Sequence, residues 1–349
     1  MNLTKLGNMK ITFITRRVVD YRISLYEKLA SMGYEVIINT MEENKVFNNT
    51  YFKVSKSLFH IEFGPLIINF PKITFPIRNQ VFIFDGNIRK IFDLILVPCL
   101  RLFGGKSIAL THYNSRSNPF FTDFLFFIKI LTYKKLLLYT SCEYGHVISK
   151  FPKMIKKDRI SYMNNGLNLQ KITNLRSIYN ADKRENAVLF IGRFTDKANF
   201  NLLIKAFESL KINPVLLHVI GFSLNLNHKN IIFHGPENDE SKIAKIANRC
   251  KIFVYPGDVG LSIVHAMYYG LPSIIHNRKK SHMPEHCYFK DNRDGLTFKY
   301  GDYKDLANSI ESLLNNSMLL NQFSSNAIYS SSNSGTDIMS GRIHDFIKE

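Results

Sequence analysis

Short, unbroken apolar runs recur along the first half of the chain. Ile11–Thr15, Glu35–Thr40, Val81–Phe84, Ser107–Leu110 and Leu136–Thr140 show little alternation of polar and apolar positions. That pattern fits strands covered on both faces, as in a parallel sheet. Between the first two runs, Tyr21–Met32 places apolar residues at helical spacing and ends at Gly33, a residue suited to a helix C-terminus. Strand, helix and strand in succession predict a βαβ unit and a doubly wound first domain. A second alternating set follows, with strands predicted at Ala187–Ile191, Val215–Ile220, Ile231–Phe233, Lys251–Tyr255 and Ser273–His276 and helices between them. The fold class is α/β, with two Rossmann-like doubly wound domains.

Length agrees, since 349 residues exceed one ordinary core and suit two of about 165 residues each. The turn Asn164-Asn165-Gly166 divides the sets, giving an N-terminal domain at 1–165 and a C-terminal domain at 166–325. Residues 326–349 form a C-terminal tail and helix. Within it, Ser330–Ser334 reads as a polar break.

Charge separates the halves further. Residues 1–165 hold 24 Lys and Arg against 11 Asp and Glu, while residues 166–349 hold 22 against 17. The first half is therefore expected to face something anionic. Between Phe120 and Tyr139, Lys129, Lys134 and Lys135 lie among bulky apolar groups, as in helices resting in a lipid interface. An anionic membrane surface is thus the expected partner of the N-terminal domain. The alternative is a buried helix whose lysines snorkel to water. Nucleic acid is disfavoured, because zinc-finger spacing, an aromatic RNA-binding signature and a long basic tract are all missing. Four cysteines, Cys99, Cys142, Cys250 and Cys287, stand far apart and suggest neither a disulfide framework nor a zinc cluster. Without a signal pattern or a spanning apolar run, the chain reads as cytoplasmic, peripheral on the inner membrane face.

The richest stretch for chemistry is Tyr255–Pro272 (YPGDVGLSIVHAMYYGLP). A buried strand leads through a glycine-containing turn into a short helix, Leu261–Tyr269, closed by Gly270. Backbone is expected to approach a ligand closely at Gly257 and Gly260. The N–H groups of Gly260, Leu261 and Ser262, with the helix dipole, would favour a phosphate. A second anion-type element is Gly192-Arg193-Phe-Thr-Asp-Lys197, at the C-terminal end of another strand, where open α/β sheets bind ligands. No GxGxxG follows the first strand, which disfavours a dehydrogenase.

Together these pieces resemble family 4 glycosyltransferases. The resemblance covers most of residues 160–315. It is carried by Asn165-Gly166, VLFIGRF at Val188–Phe194, HVIG at His218–Gly221, IFHGP at Ile232–Pro236, the GLxxxxAMxxGLP run from Gly260, and Gly295 followed by GDYKDLA from Gly301. It implies the GT-B fold, two facing Rossmann-like domains with a cleft between them, and transfer of a sugar from a nucleotide diphosphate donor. No cofactor is implied; the nucleotide-sugar is a substrate, and no metal is expected because basic side chains and helix N-termini neutralise the leaving diphosphate. Arg193 is expected to contact the diphosphate, the Gly260, Leu261 and Ser262 amides to cradle it, and the region from Gly221 to Glu237 to hold base and ribose. Stabilising the departing diphosphate would be the main catalytic task.

The chain departs from the family pattern at two places. Family members usually carry two glutamates separated by seven residues around the GL turn; here the positions are Gly257 and His265. Asp258 is expected to reach a donor-sugar hydroxyl instead, and His265 a ribose hydroxyl, with a core histidine as the alternative. Ala198 occupies the usual diphosphate-lysine position, with Lys197 one place earlier and able to reach on its flexible stem. His112 is the expected cleft histidine of the first domain, ahead of the polar loop Tyr113–Asn118, and Glu285 the expected glutamate for donor sugar or ribose. Arg16, Arg17 and Arg22, around the first strand-to-helix turn, are candidates for binding an acceptor's diphosphate, or simply a solvated face. The catalytic expectation is His112, Arg193 and Asp258.

The resulting expectation is a metal-independent hexosyltransferase. It would act, with retention, on a glycan acceptor, lipid-linked, in bacterial surface polysaccharide synthesis of the O-antigen kind. A non-catalytic nucleotide-sugar-binding subunit of a glycan assembly complex, and a GT-B epimerase, are the alternatives.

Overall fold

The computed structural model describes residues 9–42, 49–87, 89–113, 119–212, 214–226 and 228–349. The chain divides into two compact units, Met1–Asn164 with Thr336–Glu349, and Asn165–Gly335. The C-terminal segment thus returns to the first unit.

The first unit opens with β1 (Lys10–Thr15), α1 (Asp20–Ser31), β2 (Glu35–Thr40) and β3 (Phe52–Lys56). The hairpin β4 (Phe59–Phe63) and β5 (Leu66–Phe70) precedes β6 (Gln80–Phe84), α2 (Asp93–Leu102) and β7 (Lys106–Thr111). Then come α3 (Pro119–Thr132), β8 (Lys135–Leu138), α4 (Ser141–Lys150) and β9 (Ile160–Tyr162). Seven strands form one sheet in the order β3-β2-β1-β6-β7-β8-β9, and every pairing is parallel. Because strand order reverses beside β1, the crevice outside the ends of β1 and β6 is the expected ligand position. β4 and β5 pair antiparallel outside this sheet.

The second unit contains α5 (Leu169–Leu175), β10 (Ala187–Ile191), α6 (Phe200–Glu208), β11 (Leu216–Ile220), β12 (Ile231–Phe233) and α7 (Glu240–Ala247). It continues with β13 (Ile252–Tyr255), α8 (Leu261–Tyr268), β14 (Ser273–His276), β15 (Gly295–Phe298), α9 (Tyr303–Leu314) and α10 (Ser317–Ser331). Its sheet runs β12-β11-β10-β13-β14-β15, again all parallel, with the reversal between β10 and β13. Apolar strands explain this: β10, β13 and β14 are almost wholly buried. Gly270, in the left-handed region at φ 67°, closes α8.

The polar stretch Ser330–Ser334 is no loose break. α10 runs through Ser331, and Ser334 is buried with its hydroxyl 2.8 Å from that of Tyr268. The last helix, α11 (Thr336–Lys348), puts Met339, Ile343, Phe346 and Ile347 into the first unit's core beside Leu25 and Leu29. Lys106 and Lys135 donate to the carbonyls of Ile347 and Phe346, at 2.9 and 2.6 Å, satisfying acceptors a helix end leaves open.

The Phe120–Tyr139 stretch differs from expectation. The helix stops at Thr132, and the following apolar residues form β8. Two of its three lysines point inward: Lys129 Nζ lies 2.6 Å from Thr111 Oγ1, and Lys135 covers the Phe346 ring. Burial pushes Lys129 down to about 8, against the pull of Glu143 and Asp85. Only Lys134 of the three is exposed.

Candidate active site

At the strand-order reversal of the second unit, three glycines bring backbone segments together. The Gly192 N–H donates to Ile220 O at 3.0 Å, and the Gly221 N–H to Gly235 O at 2.8 Å. A Cβ on Gly221 would lie 2.1 Å from Gly192 O. Past Gly192 the chain exposes Arg193 and Lys197. The Thr195 side chain caps the short turn at Ala198, which fixes where Lys197 sits.

The turn from Pro256 to Gly260 leans on that segment. Asp258 N–H donates to Lys197 O at 2.8 Å, and a Cβ on Gly257 would lie 2.0 Å from the same oxygen. The close approach at Gly257 is thus one to the chain's own backbone. At Gly260 a Cβ would meet the Met283 side chain at 3.0 Å. The first-turn N–H groups of α8, at Leu261 and Ser262, lack intrahelical acceptors by the geometry of any helix start. Arg193 and Asp258 both act electrostatically on the Tyr255 hydroxyl, which burial raises, so the two charges flank one tyrosine.

Behind the turn stand two histidines outside the motifs of the sequence, His276 and His282. His282 Nδ1 accepts from Val259 N–H at 3.1 Å, and its Nε2 faces His276 O at 2.9 Å. That pairing fixes the neutral tautomer, and burial holds its pKa down at about 3. His276 stacks on His282 with ring centroids 4.0 Å apart and directs Nε2 toward Asp258 Oδ1. At 3.5 Å this is an electrostatic contact, not a formed hydrogen bond. Glu285 is buried, and its Oε1 accepts from Asn165 Nδ2 at 2.6 Å. Its Oε2, also buried, has no partner among the described residues, an orphan suited to a ligand hydroxyl.

His265 is committed elsewhere. Its Nε2 lies 2.7 Å from Glu240 Oε1, which also accepts from Tyr269 OH at 2.6 Å. A free imidazole for ribose is therefore replaced by a His265–Glu240 pair. The carboxylate beside His265 comes from α7. Spacing along one helix could not reveal it.

In the first unit, a cavity of about 430 Å³ lies at the ends of β1 and β6 and includes Arg16, Arg17, Arg22, Asp85 and Tyr139 in its wall. The three arginines are not equivalent. Arg22 is buried under the Tyr139 ring, and Arg16 pairs with Glu42 and Glu62, so of the three Arg17 is exposed and makes no ion pair among the described residues. The carboxylate of Asp85 is held by the fully buried ammonium of Lys90 at 2.8 Å. His112 stacks on Tyr139 at 3.7 Å, with Nδ1 3.7 Å from Glu143 Oε1. Most of the loop after it, residues 114–118, lies outside the described residues.

Residues 171–329 match the family model described as Glycosyl transferases group 1. Solved structures similar over the whole chain include a sucrose-phosphate synthase from Thermosynechococcus elongatus, at 14% identity and TM-score 0.67, covering 97% of this chain and 98% of that one. Anabaena HepE in complex with UDP and glucose has 12% identity and TM-score 0.68, covering 98% and 100%. A variant of S. aureus TarM in complex with Fondaparinux, alpha-GlcNAc-glycerol and UDP has 12% identity and TM-score 0.68, covering 98% and 100%. No curated protein matches the chain by sequence. The chain has the GT-B fold, and the residues that match the group 1 glycosyl transferase model lie within its second unit.

Proposed function

We propose that this protein transfers a sugar from a nucleoside diphosphate donor to a lipid-linked glycan, in bacterial surface polysaccharide synthesis. The donor binds the second unit and the acceptor the first. The observation that carries the reading is the packing of the Gly257-Asp258 turn, which leads into α8, against Lys197 of the segment that begins at Gly192-Arg193, at the strand-order reversal and inside the residues that match the family model. The diphosphate accepts from the α8 amides and from the Arg193 guanidinium fork, with Lys197 as a mobile point charge. As the bond to the sugar breaks, negative charge grows on that diphosphate, and these donors stabilise it. The step then needs no metal. Asp258 and Glu285 take sugar hydroxyls, and Arg17, Asp85 and His112 serve the acceptor. Anomeric retention is part of the proposal, by front-face transfer without a side-chain nucleophile; isolation of a glycosyl-enzyme adduct would overturn it.

A thermal-shift screen with UDP, GDP, CDP and dTDP, followed by hydrolysis of the matching sugars, tests the donor site. One nucleotide is expected to stabilise the native protein by mass action, and Arg193→Ala to abolish the shift. The absence of any shift would refute the reading.

A second reading, a nucleotide-sugar-binding subunit without catalysis, is favoured by the backbone packing at Gly257, which leaves no room for a side chain where relatives of the family carry a glutamate. Donor binding without hydrolysis or transfer across a panel of acceptors would select it.

A further inference from the structure

The β4–β5 hairpin has its polarity reversed. Cross-strand partners share one face of an antiparallel pair, so Phe59–Phe70, Ile61–Ile68 and Phe63–Leu66 form a single face. All six side chains are exposed, Phe63 at 80%. The opposite face carries Ile67 and Asn69, both buried, with His60 and Glu62. The hairpin is held in place: Ile67 N–H donates to Arg89 O at 2.7 Å, and the Arg89 guanidinium donates to Pro65 O and Gly64 O at 2.7 and 3.1 Å. The exposed face is thus a fixed surface.

It does not end at the hairpin. Phe70 stacks against Phe92 at 3.9 Å, just before α2, whose Ile95 and Leu102 are 62% and 85% exposed. α2 packs against α3. On α3, Phe120, Phe124, Phe127 and Leu131 follow helical spacing and are all exposed, while Phe126 and Ile130 fill the core. A helix apolar on both faces needs cover on both. Apolar surface on this scale marks an interaction site.

Charge selects the occupant. Lys56 and Lys72 bracket the hairpin, Arg89 holds its tip and Arg101 sits in the last turn of α2, all exposed. The described carboxylates on these elements are engaged: Glu62 with Arg16, Asp123 with Lys150, and Asp93 buried against Tyr133. A second copy would set one basic rim against another, whereas an anionic lipid surface meets apolar side chains and cations together.

We propose that the hairpin β4–β5, with α2 and α3, is the surface by which the protein docks on an anionic bilayer. It rests on the membrane-linked acceptor reading above, and it moves the contact from the lysines of the Phe120–Tyr139 stretch to an aromatic and aliphatic face with a basic rim.

The test is co-sedimentation of the full chain with vesicles of phosphatidylcholine alone and with about a third phosphatidylglycerol. The native protein is expected to bind the anionic vesicles, less so at high salt. Ile61→Ser with Ile68→Ser, both exposed, should cut partitioning at least about tenfold. Its melting temperature, and any nucleotide-induced shift, should stay native. Undiminished binding of this variant would overturn the proposal, and so would a native protein that ignores anionic vesicles. Self-association in solution that the double substitution abolishes would assign the face to a second copy and overturn it too. The nucleotide shift separates these outcomes from failure of the donor-site reading, which would remove the shift in the native protein as well.

Discussion

Replacing Gly257 by alanine sets family pattern against local packing. A Cβ at this position would stand 2.0 Å from Lys197 O, 2.5 Å from Ala198 C and 2.6 Å from Ala198 O. All three are backbone atoms, so no rotamer relieves the overlap and the turn must retreat by about 1.5 Å to reach ordinary contact distance. That retreat breaks the 2.8 Å bond from Asp258 N–H to Lys197 O. Overpacking costs about 1–3 kcal/mol and the lost bond about 1 kcal/mol, together about 2–4 kcal/mol. For a unit of this size the second unit's melting transition should fall by about 5–15 °C. Donor binding should weaken as well, because Lys197 and Asp258 move with the turn. Calorimetry with and without the stabilising nucleotide reads both effects. Gly257→Glu, which restores the glutamate usual in the family, carries the same Cβ and should lose stability and binding alike. Gly341→Ala is the control, since a Cβ there meets nothing within 4 Å and the site lies inside α11. It should gain up to about 1 kcal/mol in the first unit's transition. If Gly257→Ala melted within about 1 °C of the native protein, the packing account of this turn would be wrong.

Three other changes have defined outcomes. Burial raises Asp93 to about 7, so the folded state holds an extra proton between the ordinary carboxylate range and that value, and stability falls as pH rises through the window. Asp93→Asn should therefore stabilise the first unit at pH 8, by no more than about 4 kcal/mol, with no gain at pH 3 in urea titrations. Lys129 has the opposite sign of slope: with its folded value pushed down to about 8, stability should climb as pH rises from there toward the ordinary lysine range, and Lys129→Met should flatten that climb in melts at stepped pH. Deleting residues 336–349 removes four buried apolar side chains worth about 1.5–3 kcal/mol each, comparable with a domain's whole stability. Calorimetry should then show the first unit's transition lost and the second unit's kept.

The sheets were legible because buried parallel strands announce themselves as apolar runs: Ala187–Ile191 and Ser273–His276 match to the residue, and Lys251–Tyr255 misses by one. Leu136–Thr140 shifted because Thr140 belongs to the next helix, where its hydroxyl accepts from Glu143 N–H. The hairpin β4–β5 escaped notice because its apolar residues point outward, the reverse of what alternation is taken to mean. Candidate chemistry followed the same divide. Arg193 and the start of α8 are set by local strand-turn-helix sequence and could be read in order. The partners that fix side-chain roles come from distant positions: Glu240 for His265, His276 for Asp258 and Asn165 for Glu285.

These pairings also explain how the proposed donor site departs from the pattern of the family the chain resembles. A glutamate at position 257 would need the turn to stand away from Lys197, but here the turn is tied to that residue's carbonyl. Such a tie suits glycine alone and brings Asp258 forward, its carboxylate facing His276 from behind. On α8, histidine in place of glutamate would leave the helix without a carboxylate, yet Glu240 reaches the ring and also takes the Tyr269 hydroxyl. Each loss of an acid in sequence is thus matched by an acid nearby in space, at one residue's remove in the turn and on a neighbouring helix for α8. That correspondence favours the transferase over the binding subunit, because a site relieved of catalysis has no need to keep carboxylates at both positions.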